Sequence, residues 1–308
     1  MEMKILIVGA GAIGGYFGGR LLEKGEDVTF LIREKRRQQL KENGLIVESA
    51  HGNIHYADPK TILAGENAEP FDVILVSTKS YHLAGAMESI RPYVGSETMI
   101  LPLLNGIAHL DALTEAFGAE KVLGGLCFIE TTLDENGRVI QTSPIHDLVF
   151  GERNGEKTER ILKLQAAFNG TNANFRLSDT IEQEMWHKYL FITSLSGITS
   201  LFRSPIGPIR EQLQGVETIK SLLQETISIM KSLDAPLADQ VLEATFARMN
   251  EISYGMKSSL QRDMEKSLPT EGDHLFGYLL DKANTSKFPA VTLSAIYANV
   301  KIYEKNLG

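Results

Sequence analysis

Cysteine is nearly absent from this sequence of 308 residues, which contains only Cys127. A single thiol cannot form a disulfide within the chain, so the fold has to be stabilised by its core without a covalent link. An unpaired cysteine without a nearby partner is usually a small core residue. We therefore predict that Cys127 is buried and that the protein is cytoplasmic.

Positive charge is in deficit, with 31 lysines and arginines against 39 acidic residues and a net charge of −8. Nucleic-acid binding requires clustered cations, so this function has no electrostatic support. No apolar run reaches the ~20 residues of a membrane span, and the first residues lack the apolar region of a signal peptide. Of the seven histidines only His51 and His55 lie within four residues of each other, and no cysteine or third histidine is near them in the sequence to complete a metal site. We expect no nucleic-acid, membrane or metal partner.

Glycine, in contrast, is concentrated near the start of the chain, in the run Gly9-Ala10-Gly11-Ala12-Ile13-Gly14. The apolar residues 4–8 before it predict a buried strand, residues 16–24 after it a helix, and residues 27–32 a second strand. In such a unit the first glycine allows a tight turn and the second lets the backbone approach a pyrophosphate. The third brings the helix close to the strand. We predict a Rossmann-type dinucleotide-binding turn at these six residues, with the phosphates at the helix N-terminus.

Arg33 is the first polar residue after the second predicted strand, and three further cations follow it closely. NAD enzymes place an acidic side chain near this point for the ribose 2′-hydroxyl, whereas a cation suits the 2′-phosphate of NADP. A solvated helix start is the alternative explanation of these charges, and Glu34 is a nearby acid. We favour NADP(H) as the cofactor, mainly because of Arg33.

Two more apolar segments, residues 72–77 and 98–104, predict further buried strands. Lys79 lies just beyond the first of them and Asn105 just beyond the second. Ligands of parallel sheets bind at the carboxyl ends of the strands, so both side chains are candidates to face cofactor or substrate. The alternative is that each is an ordinary loop residue, with Asn105 making a turn with Gly106.

The rest of the first half has an antiparallel pattern. Residues 122–132 and 138–142 predict a hairpin, and residues 148–151 and 175–178 predict two more short strands. Beyond this region the pattern is helical to the end of the chain.

The predicted fold class is therefore α/β with two domains, which suits the length of the chain. Residues 1–178 form a Rossmann-type dinucleotide-binding domain, and residues 179–308 form an all-helical domain.

A long helix predicted over residues 181–202 is apolar nearly all round, which indicates burial, and it contains Lys188. A lysine in such a helix either extends to water along its aliphatic stem or borders a functional cleft. Glu271 follows Thr270 at the predicted start of another helix. A favourable interaction with the helix dipole would by itself explain a carboxylate there.

Taken together, the segments resemble the ketopantoate reductase (2-dehydropantoate 2-reductase) family over essentially the whole chain. In the first half the resemblance rests on Gly9 to Gly14, Ser77-Thr78-Lys79 and Asn105-Gly106. In the second half it rests on Trp186-His187-Lys188, Ser258 to Asp263, and Pro269-Thr270-Glu271. The family combines a Rossmann-type domain with a helical domain like that of 6-phosphogluconate dehydrogenase.

The resemblance implies NADPH-dependent reduction of ketopantoate to (R)-pantoate, a step in pantothenate and coenzyme A biosynthesis. Lys188 matches the proton donor and Glu271 a carboxylate that orients cofactor and substrate hydroxyls. Ser259 matches a substrate-binding serine. The matched cofactor contacts are the glycine run, Arg33, Lys79, Asn105 and the backbone of Ile129, and Asn105 also matches a substrate contact.

The chain departs from the family on the predicted helix that carries Lys188. The family commonly has asparagines four and eight residues later, whereas this chain has Ile192 and Ser196; Ile206 replaces another commonly polar residue. Lys188, Ile192 and Ser196 follow one another at a spacing of four residues and therefore share one face of this helix. Ile192 and Ser196 are thus candidates to line the substrate pocket. An isoleucine offers no hydrogen bond, which weakens selection for a polar substrate.

Two alternatives therefore remain open at this stage. One is a reductase of another branched or aromatic 2-keto acid, of the D-2-hydroxyacid dehydrogenase type. The other is a non-catalytic NADP(H)-binding regulator, which would not need Lys188 and Glu271 together. In either enzymatic case the expected small-molecule partner is a 2-keto acid. Helical domains of this kind often associate, so we also expect a second copy of the chain as a partner.

Overall fold

A computed structural model describes residues 3–285 and 288–307. The chain forms two compact units. The first contains the chain up to Leu104 and the residues from His109 to Ile181; the second contains Asn105–Ala108 and the chain from Glu182 onward. Compactness alone does not define a folding domain, so the predicted boundary between residues 178 and 179 stays a prediction.

The strands all lie in the first unit. In chain order they are β1 Lys4–Val8, β2 Asp27–Leu31, β3 Leu45–Glu48, β4 Ile54–Tyr56, β5 Lys60–Ile62, β6 Val73–Val76, β7 Met99–Pro102, β8 Gly124–Leu133, β9 Val139–Gly151 and β10 Asn174–Leu177. The helices of the first half are α1 Ala12–Lys24, α2 Glu34–Asn43, α3 Leu83–Ile90, α4 Ala108–Phe117 and α5 Glu159–Phe168.

A parallel sheet in the order β5-β2-β1-β6-β7 forms the base of the first unit. Its central strands are buried because they consist of continuous apolar residues, such as Ile5 to Val8. The strand order reverses between β1 and β6, and ligands of such sheets bind at the carboxyl side of this point. The predicted α/β fold class is confirmed.

A second sheet has the order β10-β9-β3-β4, with β8 paired to β9 in an antiparallel hairpin. The strands predicted separately over residues 138–142 and 148–151 are one strand, β9, so that prediction is wrong. The register against β8 shifts between Ile129 and Thr131, which leaves the residues around Pro144 without a partner in β8. Pairing is interrupted there, but the backbone stays extended.

Helix α1 packs against both sheets through glycines. A Cβ at Gly18 would lie 2.6 Å from Phe30 of β2, and a Cβ at Gly19 would lie 3.2 Å from Val47 of β3. Any larger residue would therefore push the helix away from one sheet or the other. The cluster of glycines in α1 thus serves two close contacts, one on each side of the helix.

The second unit is helical. Its elements are α6 Ile181–Phe202, which begins at the unit boundary, α7 Ile206–Arg210, α8 Leu213–Ser232, α9 Val241–Glu251, α10 Ser259–Glu265, a π-helical segment Asp273–Gly277, α11 Tyr278–Thr285 and α12 Val291–Lys305. Within the described ranges, no helix is both long and apolar enough to cross a membrane.

Candidate functional site

The glycine run forms the turn between β1 and α1. Gly9 adopts a φ of +90°, in the region that favours glycine, and its N–H donates to the Leu31 carbonyl at 2.9 Å. Helix α1 begins after Gly11 without a side-chain cap, and a Cβ at Gly11 would meet nothing within 4 Å. The first turn of α1 therefore offers uncapped N–H groups beside open space, which suits a phosphate.

The end of β6 completes this turn. The Ser77 hydroxyl donates to the Val8 carbonyl at 3.0 Å and so joins the carboxyl ends of β6 and β1. The buried Thr78 hydroxyl has no hydrogen-bond partner among the described residues. A buried hydroxyl without a partner costs free energy, so a polar ligand at the strand ends would stabilise this residue. The residues present thus fit a dinucleotide.

The charge of Arg33 reaches the loop after β6. Lys79 immediately precedes a short 3₁₀ turn, Ser80–His82. Burial lowers the pKa of His82, and the positive charge of Arg33 lowers that pKa further, so the two side chains lie near each other. Arg33 follows β2 and Lys79 follows β6, at the strand ends where both were predicted to contact the cofactor.

Arg36, on α2, contacts the glycine run and was not singled out by the sequence pattern. Its Nε donates to the Ala10 carbonyl at 2.9 Å, and its Nη1 donates to the Gly137 carbonyl at 2.8 Å. The guanidinium therefore links the glycine run to the turn of the β8–β9 hairpin, and burial lowers its pKa. Ile129, the predicted backbone contact to cofactor, is half-buried on β8 of the same hairpin.

In the second unit, α6 carries three predicted site residues at helical spacing. Lys188 is only 7% exposed, Ile192 is half-buried and Ser196 is buried. Their spacing of four residues places them along one face of the helix. Lys188 makes at least one interaction within the structure.

The same helix contacts the start of α10. The Thr199 hydroxyl lies 2.8 Å from the Leu195 carbonyl and 2.9 Å from the Ser258 hydroxyl. Ser258 in turn accepts from the Gln261 N–H and caps α10. Ser259, the predicted substrate contact, is the first residue of α10 and is exposed. Its backbone position is therefore fixed by the capping residue just before it.

Glu271 is 8% exposed, in a segment that α12 holds by side-chain hydrogen bonds. The Thr270 hydroxyl donates to Glu304 at 2.5 Å, and Asp273 accepts from Tyr297 at 2.7 Å and from Lys301 at 2.9 Å. Burial and the bond to Asp273 raise the pKa of Tyr297 to about 12. These contacts flank Glu271 on both sides in sequence and fix its backbone.

His274 connects two predicted site residues, and the sequence pattern gave no signal for it. Burial lowers its pKa, while the Glu271 charge and a hydrogen bond to the Asn105 backbone oppose that shift. The Asn105–Ala108 segment belongs to the second unit, so this connection lies within one compact body. Asn105 and Glu271, 166 positions apart in the chain, therefore share one neighbour.

The predicted site residues divide between the two units. The first unit holds the glycine run, Arg33, Lys79 and Ile129. The second unit holds Asn105, Lys188, Ile192, Ser196, Ser259 and Glu271. Among the residues that the structure describes, no group of three or more histidines, cysteines or acids is arranged to hold a metal ion.

Two family models match the chain. The model described as ketopantoate reductase PanE/ApbA matches residues 5–155, and the model described as ketopantoate reductase PanE/ApbA C terminal matches residues 180–304. Together they account for most of both units.

Individual proteins are also similar to this chain over nearly its whole length. The uncharacterized oxidoreductase YkpB of Bacillus subtilis (strain 168) is 47% identical over 302 residues, which cover 98% of this chain and 99% of that protein. The crystal structure of 2-dehydropantoate 2-reductase from Geobacter metallireducens GS-15 matches with a TM-score of 0.87 at 27% identity, covering 97% of this chain and 99% of that one. A ternary structure of D-mandelate dehydrogenase with NADH and anilino(oxo)acetate has a TM-score of 0.88 at 21% identity, covering 99% of each chain. This last likeness is one of fold.

Proposed function

Since the chain belongs to the ketopantoate reductase family, we propose that it catalyses NADPH-dependent reduction of a 2-keto acid to the 2-hydroxy acid. Ketopantoate is the leading substrate and (R)-pantoate the product, as in pantothenate biosynthesis. The observation that carries the proposal is the burial of Lys188 in the unit that also joins Asn105 to Glu271. A protein that only bound a dinucleotide would not need a buried lysine there.

Lys188 has the chemistry of a proton donor to the keto oxygen. A bound nicotinamide supplies the hydride to the keto carbon. As negative charge builds on the oxygen, the Lys188 ammonium stabilises it by a charge-assisted hydrogen bond and then donates the proton. The lysine is left neutral and regains its proton from water. Burial strengthens this interaction because little water competes for the charge.

Polar groups of the second unit are assigned to binding. We propose that the Asn105 amide and the Ser259 hydroxyl bind the polar groups of the keto acid. The Glu271 carboxylate accepts hydrogen bonds from hydroxyls of substrate and cofactor. Its backbone is held by α12 on both sides, which supports a role that depends on position.

NADP(H) is the proposed cofactor. The Gly9 to Gly14 turn would hold the pyrophosphate, while Arg33 and Lys79 would hold the 2′-phosphate. The Arg33 guanidinium supports the assignment, since it can form charge-assisted hydrogen bonds to a doubly charged phosphate, and its charge acts on His82 in the turn that follows Lys79. With a single buried cysteine, a cytoplasmic location is part of the same proposal.

A second candidate substrate class is a branched or aromatic 2-keto acid other than ketopantoate. Ile192 on the Lys188 face of α6 favours it, because an isoleucine offers an apolar contact where a polar substrate would need a donor. The fold shared with D-mandelate dehydrogenase is compatible with this class.

The deciding experiment is a panel of 2-keto acids assayed by dinucleotide oxidation, with both NADPH and NADH. We expect the highest kcat/KM with ketopantoate and NADPH. A higher kcat/KM with a branched or aromatic keto acid would replace the substrate but keep the reaction. A lower KM for NADH than for NADPH would overturn the proposed role of Arg33. No oxidation with any keto acid would overturn the enzymatic proposal.

A further inference from the structure

His274 lies in the π-helical segment Asp273–Gly277, three residues after Glu271. Single π-helical turns are rare and recur at functional sites, because the extra residue re-aims the side chains of the turn. Tyr189, the neighbour of Lys188 on α6, donates to the Leu275 carbonyl of this segment at 2.8 Å. The π-helical segment is therefore tied to the helix that carries the proposed proton donor.

The His274 ring lies directly against the turn made by Asn105 and Gly106. A Cβ at Gly106 would lie 2.9 Å from Cδ2 and 3.0 Å from Nε2 of the ring, closer than side chains normally approach. Gly106 also has a φ of +81°, which other residues rarely adopt. The ring thus fits against a turn that only glycine can make.

Hydrogen bonding adds direction to this contact. The His274 ring donates to the Asn105 backbone carbonyl, and the Glu271 carboxylate acts on the same ring from one helical turn earlier. Burial disfavours a positively charged ring, so a neutral imidazole with one N–H is the form that suits the position. One N–H is sufficient for the bond to Asn105.

We propose that His274 is a positioning residue of the keto acid site, which holds the Asn105–Gly106 turn so that the Asn105 amide faces the substrate. This inference rests on the proposed role of Asn105 in substrate binding. It adds a residue to which neither the sequence nor the family resemblance assigned a role. His274 itself need not touch the substrate.

The test is a double-mutant cycle between His274→Phe and Asn105→Ala, read as KM and kcat for the best keto acid. His274→Phe keeps a ring of similar size but removes the donor, so we expect KM to rise about tenfold and kcat to change less. His274→Gln keeps a donor and should restore KM to within about threefold of the original protein. In the Asn105→Ala background, His274→Phe should change KM by less than about twofold, because the amide that it positions is already gone.

Two results would overturn the inference. They are an unchanged KM in His274→Phe, or the same tenfold rise in the Asn105→Ala background. If thermal melting shows that His274→Phe does not fold, Gly106→Ala is the variant to use instead. Its added Cβ perturbs the same contact from the side of the turn. It should then raise KM while His274 is intact, and an unchanged KM would count against the inference.

The two levels of the proposal fail differently. If Asn105→Ala leaves KM unchanged, the proposed substrate role of Asn105 is wrong and the inference falls with it. If Asn105→Ala raises KM and His274→Phe does not, only the inference about His274 is wrong.

Discussion

Lys188 is the residue on which the proposed chemistry depends most directly. We expect Lys188→Ala to lower kcat by about a hundredfold or more, because general acid catalysis commonly contributes factors of 10² to 10⁴. Single-turnover oxidation of NADPH with saturating keto acid measures the chemical step. A kcat within a fewfold of the original value would show that Lys188 is not the proton donor.

The control for this prediction is another lysine of the second unit. Lys220 is exposed on α8, where its ammonium lies 5.1 Å from the centroid of the Phe246 ring. Lys220→Ala removes the same charge from the same unit, far along the sequence from α6. We expect it to leave kcat unchanged, so a loss of rate in both variants would indicate a general effect of charge.

His146 makes the stability of the first unit depend on pH. Its ring stacks on His51 with 3.7 Å between ring centroids, and its Nδ1 lies 2.8 Å from the Tyr16 hydroxyl. Burial, then the His51 and Arg20 charges, lower its pKa below the ordinary 6.5. As pH falls through 6.5 the unfolded chain takes up this proton first, so the free energy of unfolding should decrease below that pH.

Urea unfolding between pH 7.5 and pH 5 measures this dependence. His146→Gln should reduce the slope of the curve below pH 6.5, because the variant has no proton to take up at this position. His55→Gln is the matched control, since it makes the same change on the exposed edge strand β4. A slope that is the same in all three proteins would show that His146 does not contribute.

Prediction from the sequence succeeded best where a residue's environment depends on its own helix or strand. The apolar run around Lys188 indicated a buried helix, and the structure has Met185, Tyr189 and Leu190 of this helix buried. Arg36 and His274 were missed because their contacts, to Gly137 and Asn105, join distant parts of the chain. No local pattern distinguishes Arg36 from the neighbouring exposed cations.

At the scale of elements, helix α1 shows how a short motif can serve two functions. The glycine run at its start was predicted from dinucleotide chemistry. The later Gly18 and Gly19 are required by packing, since the two sheets approach the helix from both sides. The sequence indicated a close contact with one sheet but could not indicate two, because the second sheet is assembled from strands up to residue 177.

Gly18→Ala tests this packing. Its Cβ would lie 2.6 and 2.8 Å from two ring atoms of the fully buried Phe30, so one of the two residues has to move. We expect the free energy of unfolding to fall by about 1–3 kcal/mol, the usual effect of overpacking a core. Chemical denaturation measures the difference.

The matched control is Gly85→Ala on α3, where an added Cβ would meet nothing within 4 Å. Alanine is the better helix former, so this variant should gain about 0.5–1 kcal/mol. Opposite signs for the two substitutions would support the packing argument. Equal stabilisation at both positions would contradict it.

The second half of the chain shows where element prediction failed. Helix α6 was predicted with the bounds that the structure has, because a long apolar run favours one structure strongly. A helix was predicted to start near Thr270 and Glu271, and there Asp273 accepts hydrogen bonds from Tyr297 and Lys301 of α12. The segment Asp273–Gly277 is π-helical, which the sequence pattern did not predict.

At the scale of the whole molecule, the family resemblance that was based on short motifs is confirmed by models that match residues 5–155 and 180–304. Order and spacing of the motifs carried this prediction, since each motif alone is common. The preferred keto acid stays a prediction because Ile192 and Ser196 change single contacts within a shared fold. Such changes shift kcat/KM without altering the pattern that defines the family.

We also propose that the chain forms a homodimer, and α12 offers a surface for it. Val291 is 74% exposed and Ile302 62% exposed, and their spacing of eleven residues places them on one helix face. Ala295 and Ala298 lie exposed between them, so this face is apolar and low in relief. Such a face can approach a second copy of itself closely, as symmetric dimers require.

Light scattering coupled to gel filtration tests the dimer. The original protein should have twice the chain mass of 34.0 kDa, and Ile302→Glu should shift it toward the monomer, because the dimer would bury a charge without a partner. Leu213→Glu is the matched control, since Leu213 is equally exposed at 67% but lies at the start of α8. It should leave the dimer intact. A monomer in the original protein would contradict the proposed dimer, and a dimer that persists in Ile302→Glu would place the contact on another face.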